Sequence, residues 1–138
     1  MENEDKKGAT NKFVLSGEDG KLLEDVLKRY EKMLLGARRY SPQVYRQREH
    51  IILDIVKLTG LPPWKWTDND IENWHIHLAK KRFKVSTSRA YTGWVRLFLC
   101  FITQNIRIAR EIENLTGKKP QIPDAVINPI PHVFEAGN

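Results

Sequence analysis

The sequence has one cysteine, Cys100, among its 138 residues. A single thiol cannot close an internal disulfide or build a Cys-rich zinc site. It lies within Leu97-Phe98-Leu99-Cys100-Phe101 and reads as a buried small hydrophobe. A reducing, cytosolic setting follows as the default. No run approaches the roughly 18–20 apolar residues of a membrane span. The first residues, MENEDKKGATNK, lack the apolar centre of a signal peptide. Strand-period segments and internal repeats are also missing. So are the phosphate-cradling G-x-x-x-x-G-K-[ST] loop, G-x-G-x-x-G, the G-x-S-x-G elbow and H-E-x-x-H. These absences exclude a transmembrane protein, a secreted precursor and a large multidomain enzyme. A chain of this length makes one domain with short tails.

Charge is plentiful but uneven. The net charge is +6 and the sequence pI about 9.5. Residues 1–40 carry nine Lys/Arg against eight Asp/Glu, and residues 106–138 carry four against four. Residues 41–105 carry ten against five, so the excess sits in the middle of the chain. A localised surplus suits a face that binds an anionic partner better than it suits general solubility.

Hydrophobic periodicity predicts an all-α fold, a compact bundle of four to five helices around an aromatic-rich core. Residues 1–18 read as a flexible polar tail. The first helix covers about 20–36, with Leu22, Leu23, Val26, Leu27, Tyr30, Met33 and Leu34 on its apolar side. The second starts at Ser41-Pro42, an N-cap followed by a proline at the first helical position, and ends near Thr59 before Gly60. The third starts at Thr67, with Asp68 and Asp70 at its positive end and the stripe Ile71, Trp74, Leu78. The fourth starts after Ser86, read as its N-cap, and turns Tyr91, Trp94, Val95, Phe98, Phe101 and Ile102 inward. A further helix spans about 106–116 and stops at Gly117. Residues 19–117 thus form the helical domain. Residues 118–138, with four prolines, read as an extended linker or tail.

No metal site is expected. His75 and His77 lie two apart on a helix, so they point about 200° away from each other. Nor is a cofactor expected. On a wheel of the fourth helix, Thr92, Gly93 and Arg96 fall within about 60° of Arg89. Tyr91, Trp94, Val95, Phe98 and Ile102 fall opposite. One face is core; the other is a basic strip in which Gly93 leaves room for a phosphate backbone. Ser86, Thr87 and Ser88 add hydroxyls and free backbone N–H groups at the helix start, just after Lys84, a natural phosphate site. The second helix begins similarly, with Ser41, Gln43, Arg46 and His50. Gln43 and Arg89 are the side chains best suited to a purine edge. The same strip would also serve as an ordinary solvated face.

The order of these motifs carries a resemblance. Ser41-Pro42-Gln43-Val44-Tyr45-Arg46 is followed by Trp66-Thr67-x-x-Asp70-Ile71-x-x-Trp74-x-x-x-Leu78, then by Ser86-Thr87-x-x-x-Tyr91-x-x-x-Val95-Arg96-Leu97-Phe98. Together they resemble the N-terminal core-binding domain of tyrosine recombinases, the phage-integrase family. Gly117-x-x-Pro120-x-Ile122 and Asn128-x-x-x-His132-Val133 are similar to the stretch that leads toward the catalytic domain in some bacterial integrases. The likeness spans about residues 20–135.

The resemblance implies a SAM-like bundle that clamps double-stranded DNA at a recombination half-site. It puts Ser41, Gln43 and Arg46, with Ser86, Thr87, Ser88 and Arg89, against the duplex. The family usually has Thr where this chain has Val44. Family catalysis needs a tyrosine nucleophile and an Arg/Lys/His/Arg set in a separate C-terminal domain, and no H-x-x-R occurs here. The expectation is therefore a non-catalytic DNA-binding domain in a bacterial cytoplasm, without membrane attachment. Its further partners would be a C-terminal catalytic domain or other recombinase protomers, with oligomers formed only on DNA. The alternative is a helical protein-interaction module or stand-alone accessory protein, docking a partner through Trp64, Trp66 or the 106–116 segment.

Overall fold

The computed structural model describes residues 15–127, all in helices, turns and connecting segments. The chain runs α1 (Gly17–Gly36), α2 (Pro42–Thr59), a 3-10 turn (Pro63–Lys65), α3 (Asp68–Lys80), α4 (Val85–Gln104), α5 (Ile106–Thr116) and the single turn α6 (Asp124–Ile127). No strand occurs among the described residues.

The helix boundaries follow local chemistry. Ser41 Oγ accepts the Val44 N–H at 3.2 Å, Pro42 opens α2, and Gly60 ends it with φ 71°, a left-handed value that suits glycine. At α3, Thr67 Oγ1 accepts the Asp70 N–H at 3.3 Å, and Asp70 Oδ2 accepts the Thr67 N–H at 2.9 Å. This reciprocal capping box satisfies two otherwise orphaned donors. Asn105 ends α4 and begins α5, its Oδ1 accepting the Ile108 N–H at 3.1 Å.

The core takes one stripe from each long helix, including Ile108 and Ile112 of α5. Leu23, Val26, Leu27 and Tyr30 come from α1; Ile52, Ile55 and Val56 from α2; Ile71, Trp74 and Leu78 from α3; Val95, Phe98, Leu99 and Ile102 from α4. The Tyr30 ring meets Phe98 edge-on at 5.0 Å between centroids. The Tyr45 hydroxyl donates to the Leu27 carbonyl at 3.1 Å, joining α2 to α1. Arg29 bridges Asp25 at 3.0 Å and reaches Glu111 on α5 at 3.4 Å.

Several expectations need correction. α1 begins at Gly17 rather than about residue 20. α4 begins at Val85, and its N-cap is Lys84, without a side-chain hydrogen bond. Ser86 therefore lies inside the first turn. Trp64 and Trp66 do not form a docking surface. Both are buried, their indole N–H groups donating to Asp19 Oδ1 at 3.3 Å and the Leu61 carbonyl at 3.0 Å. Cys100 is half-buried and lines a cavity of about 460 Å³ with Tyr30, Met33, Arg38, Arg48 and Phe101.

Within the stretch expected to be an extended linker or tail, residues 124–127 pack on the bundle. Val126 is fully buried and Ala125 nearly so, with α6 packed on α3 and α4. Asp68 Oδ1 accepts the Ala125 N–H at 2.9 Å. Asp68 thus anchors the last turn as well as suiting the positive end of α3. The expected positions Asn128, His132 and Val133 lie outside the described residues, as do 1–14.

Candidate nucleic-acid interface

The exposed half of α2 begins at its cap. Ser41 spends its oxygen on the Val44 N–H. Gln43, Arg46, Gln47 and His50 then project into solvent while Tyr45, Ile51 and Ile52 go inward. Spacings of three and four residues put all four polar groups on one face. Across from them stand Tyr91 and Trp94 of α4, both half-buried. An open groove of about 380 Å³ lies between the two helices, lined by Gln43, Arg46, Gln47, His50, Ile51, Tyr91 and Trp94. The structure therefore gathers three expected site residues, Gln43, Arg46 and His50, at one place.

The residues expected on α4 divide. Lys84, Ser86 and Arg96 are exposed, and Thr87, Arg89 and Gly93 are half-buried. Thr92 and Ser88 are corrections: Thr92 is fully buried and Ser88 nearly so. Thr92 Oγ1 donates to the Ser88 carbonyl at 2.7 Å and stands 3.0 Å from His75 Nε2. The one hydroxyl proton of Thr92 is spent on that carbonyl, so the histidine donates as its Nε2–H tautomer. Burial lowers the His75 pKa from its ordinary 6.5, against a smaller opposing pull from Glu72.

These contacts turn the inward face of α4. Its buried residues, Ser88, Thr92, Val95, Phe98, Leu99 and Ile102, centre about 50° from the face that the aromatic spacing predicts. Thr92 meets His75 of α3 there. Tyr91 and Trp94 consequently move to the edge of the core and into the groove. The outward strip then reads Ser86, Ala90, Gly93 and exposed Leu97, with Arg89 and Arg96 along one side and Trp94 along the other. A Cβ at Gly93 would meet no atom within 4 Å. Glycine costs roughly 0.5–1 kcal/mol relative to alanine inside a helix, and no internal neighbour accounts for it here.

An unexpected series of ring contacts backs the α4 wall of the groove. Phe83, in the turn before α4, meets Tyr91 edge-on at 5.7 Å. Tyr91 meets Trp94 at 5.1 Å. The Arg48 guanidinium of α2 lies 4.4 Å from the Trp94 ring centroid and 5.1 Å from that of Tyr40. Such cation–π contacts hold a guanidinium without a carboxylate. The signal in the sequence was the excess of aromatics on α4, more than a core stripe needs, but aromatics at helical spacing read first as core.

No family model, curated protein or solved structure matches the chain. No helix among the described residues is long and apolar enough to cross a membrane.

Proposed function

We propose that this domain binds duplex DNA without catalysing a reaction on it, in the manner of the core-binding domain of a tyrosine recombinase at a recombination half-site. The observation that carries the reading is the exposed α2 face, Gln43, Arg46, Gln47 and His50, beside an α4 strip whose glycine has open space above it. Arginine and amide side chains on one helix face suit phosphate positioning and base-edge contact respectively. The local surplus of ten Lys/Arg over five Asp/Glu in residues 41–105 supplies attraction to the phosphates. Arg46 and Arg96, both exposed, are the phosphate contacts of first choice. Ser88 and Thr92 serve the fold instead. In this reading the protein works in a bacterial cytoplasm, on DNA, alongside a catalytic domain or other protomers.

A second reading, a module that docks another protein, draws support from Ile106, which is 73% exposed at the α4–α5 junction. The two separate by salt. Fluorescence anisotropy of a labelled generic duplex at low and moderate salt should show steeply salt-dependent binding. The Arg46→Ala/Arg96→Ala variant should flatten the slope of log K against log salt by about 0.9 for each phosphate that is no longer neutralised. Absence of duplex binding at low salt overturns the DNA reading.

A further inference from the structure

We propose that the groove between α2 and α4 receives a single nucleobase that has left the stack of the DNA, held against the Tyr91 and Trp94 rings. This deepens the DNA-binding reading and rests on it. The groove has the composition of a base site: two aromatic rings on one wall, and on the other an arginine, a histidine and two amides able to face a base edge. Its volume, about 380 Å³, lies at the small end of ligand clefts. It suits one base with part of its sugar.

The rings are held ready. Trp94 has the Arg48 guanidinium on it at 4.4 Å and Tyr91 beside it at 5.1 Å, and Phe83 meets Tyr91 from beyond. Arg48 is thus a positioning residue for Trp94. A closed core would have no use for arginine, glutamine and histidine around aromatic rings. A purely phosphate-binding surface would have no use for half-exposed rings. The combination fits a partner that carries negative charge and a flat π-face together. The exposed Arg46 holds the phosphate at the rim while the base enters.

The wild-type chain provides its own reporter. Trp64, Trp66 and Trp74 are buried at 9% exposure or less, whereas Trp94 is half-buried and lines the groove. Tryptophan fluorescence should be quenched by a twelve-nucleotide oligothymidine and unaffected by an abasic strand of equal length. Trp94→Phe should remove that signal. In anisotropy, a duplex with one unpaired thymine should bind about five- to hundredfold more tightly than its fully paired counterpart, the range that one base–aromatic stack provides. Trp94→Leu, checked for fold by circular dichroism, should erase that preference, whereas Arg46→Ala should weaken both duplexes alike. Preference for the single strand over the unpaired-base duplex would make single-stranded DNA the source of the base. Equal binding of the two duplexes with no change in fluorescence overturns the base site and leaves duplex binding intact. Failure to bind any of these DNAs at low salt overturns both.

Discussion

At the start of α2, Ser41 closes onto the Val44 N–H, and the following turns send Gln43, Arg46 and His50 into solvent. At the start of α4, Lys84 caps without a side-chain hydrogen bond, and the following turns send Ser88 and Thr92 into the bundle. The two starts have similar side chains and similar apparent fitness for phosphate. They differ in what lies behind them. Behind the first turns of α2 is a groove open to solvent. Behind those of α4 is α3, with His75 waiting for a hydroxyl. Whether a polar residue on a helix meets water or a partner depends on the neighbouring helix as much as on its own spacing.

The largest effect that tests this contrast is expected at Thr92. Thr92→Val keeps the shape but leaves the His75 N–H without its acceptor, so chemical denaturation should show a loss of about 1–3 kcal/mol. A change below a few tenths would mean that the α4 hydroxyls are as dispensable as surface ones. Next come the serines at the two starts. Ser41→Ala should cost about 1 kcal/mol through the lost cap, while Ser86→Ala, exposed and uncapped, should stay within about 0.5 kcal/mol. Equal costs would erase the distinction between the starts. Gly93→Ala acts in the other direction. With open space at the Cβ position, it should raise stability by roughly 0.5–1 kcal/mol, and in the DNA-binding reading it should weaken duplex affinity.

The smallest effect concerns pH. His75 titrates lower in the fold than in the unfolded chain, chiefly through burial. The unfolded state therefore binds the proton more readily, and folding stability falls as pH drops below about 6.5 toward the folded value. Above that pH both states are neutral and the contribution is flat. His75→Gln should flatten the acid limb, measured by thermal melts from pH 7.5 to 5.

Much of the fold was legible in the sequence because its signals are local. Ser41-Pro42, Thr67, Gly60 and Gly117 mark helix ends through interactions within a few residues, and all four stand at helix ends; Asp70, expected only to suit the positive end of α3, also closes a capping box with Thr67. The face of α4 was less legible. Its wheel favours large apolar side chains as the core, while the actual packing buries small Ser88 and Thr92, the latter against His75 of α3. That preference arises between helices, where sequence spacing carries no mark. Arg48 was hidden for the same reason, since its aromatic partners Tyr40 and Trp94 come from separate stretches. The prolines after Gly117 predict an extended linker or tail, and no long helix follows α5 among the described residues. They did not prevent one short turn from finding a buried seat through Val126.

That short turn alters the order in which the bundle can be completed. The Asp68–Ala125 hydrogen bond joins positions 57 residues apart, and Val126 fills space against α3 and α4. A ribosome making this chain from the N-terminus would have all five long helices emerged while one patch of their core still faced water. The bundle can seal only after residue 126 is free of the exit tunnel. Residues 124–127 are thus the last part of the described core to be synthesised.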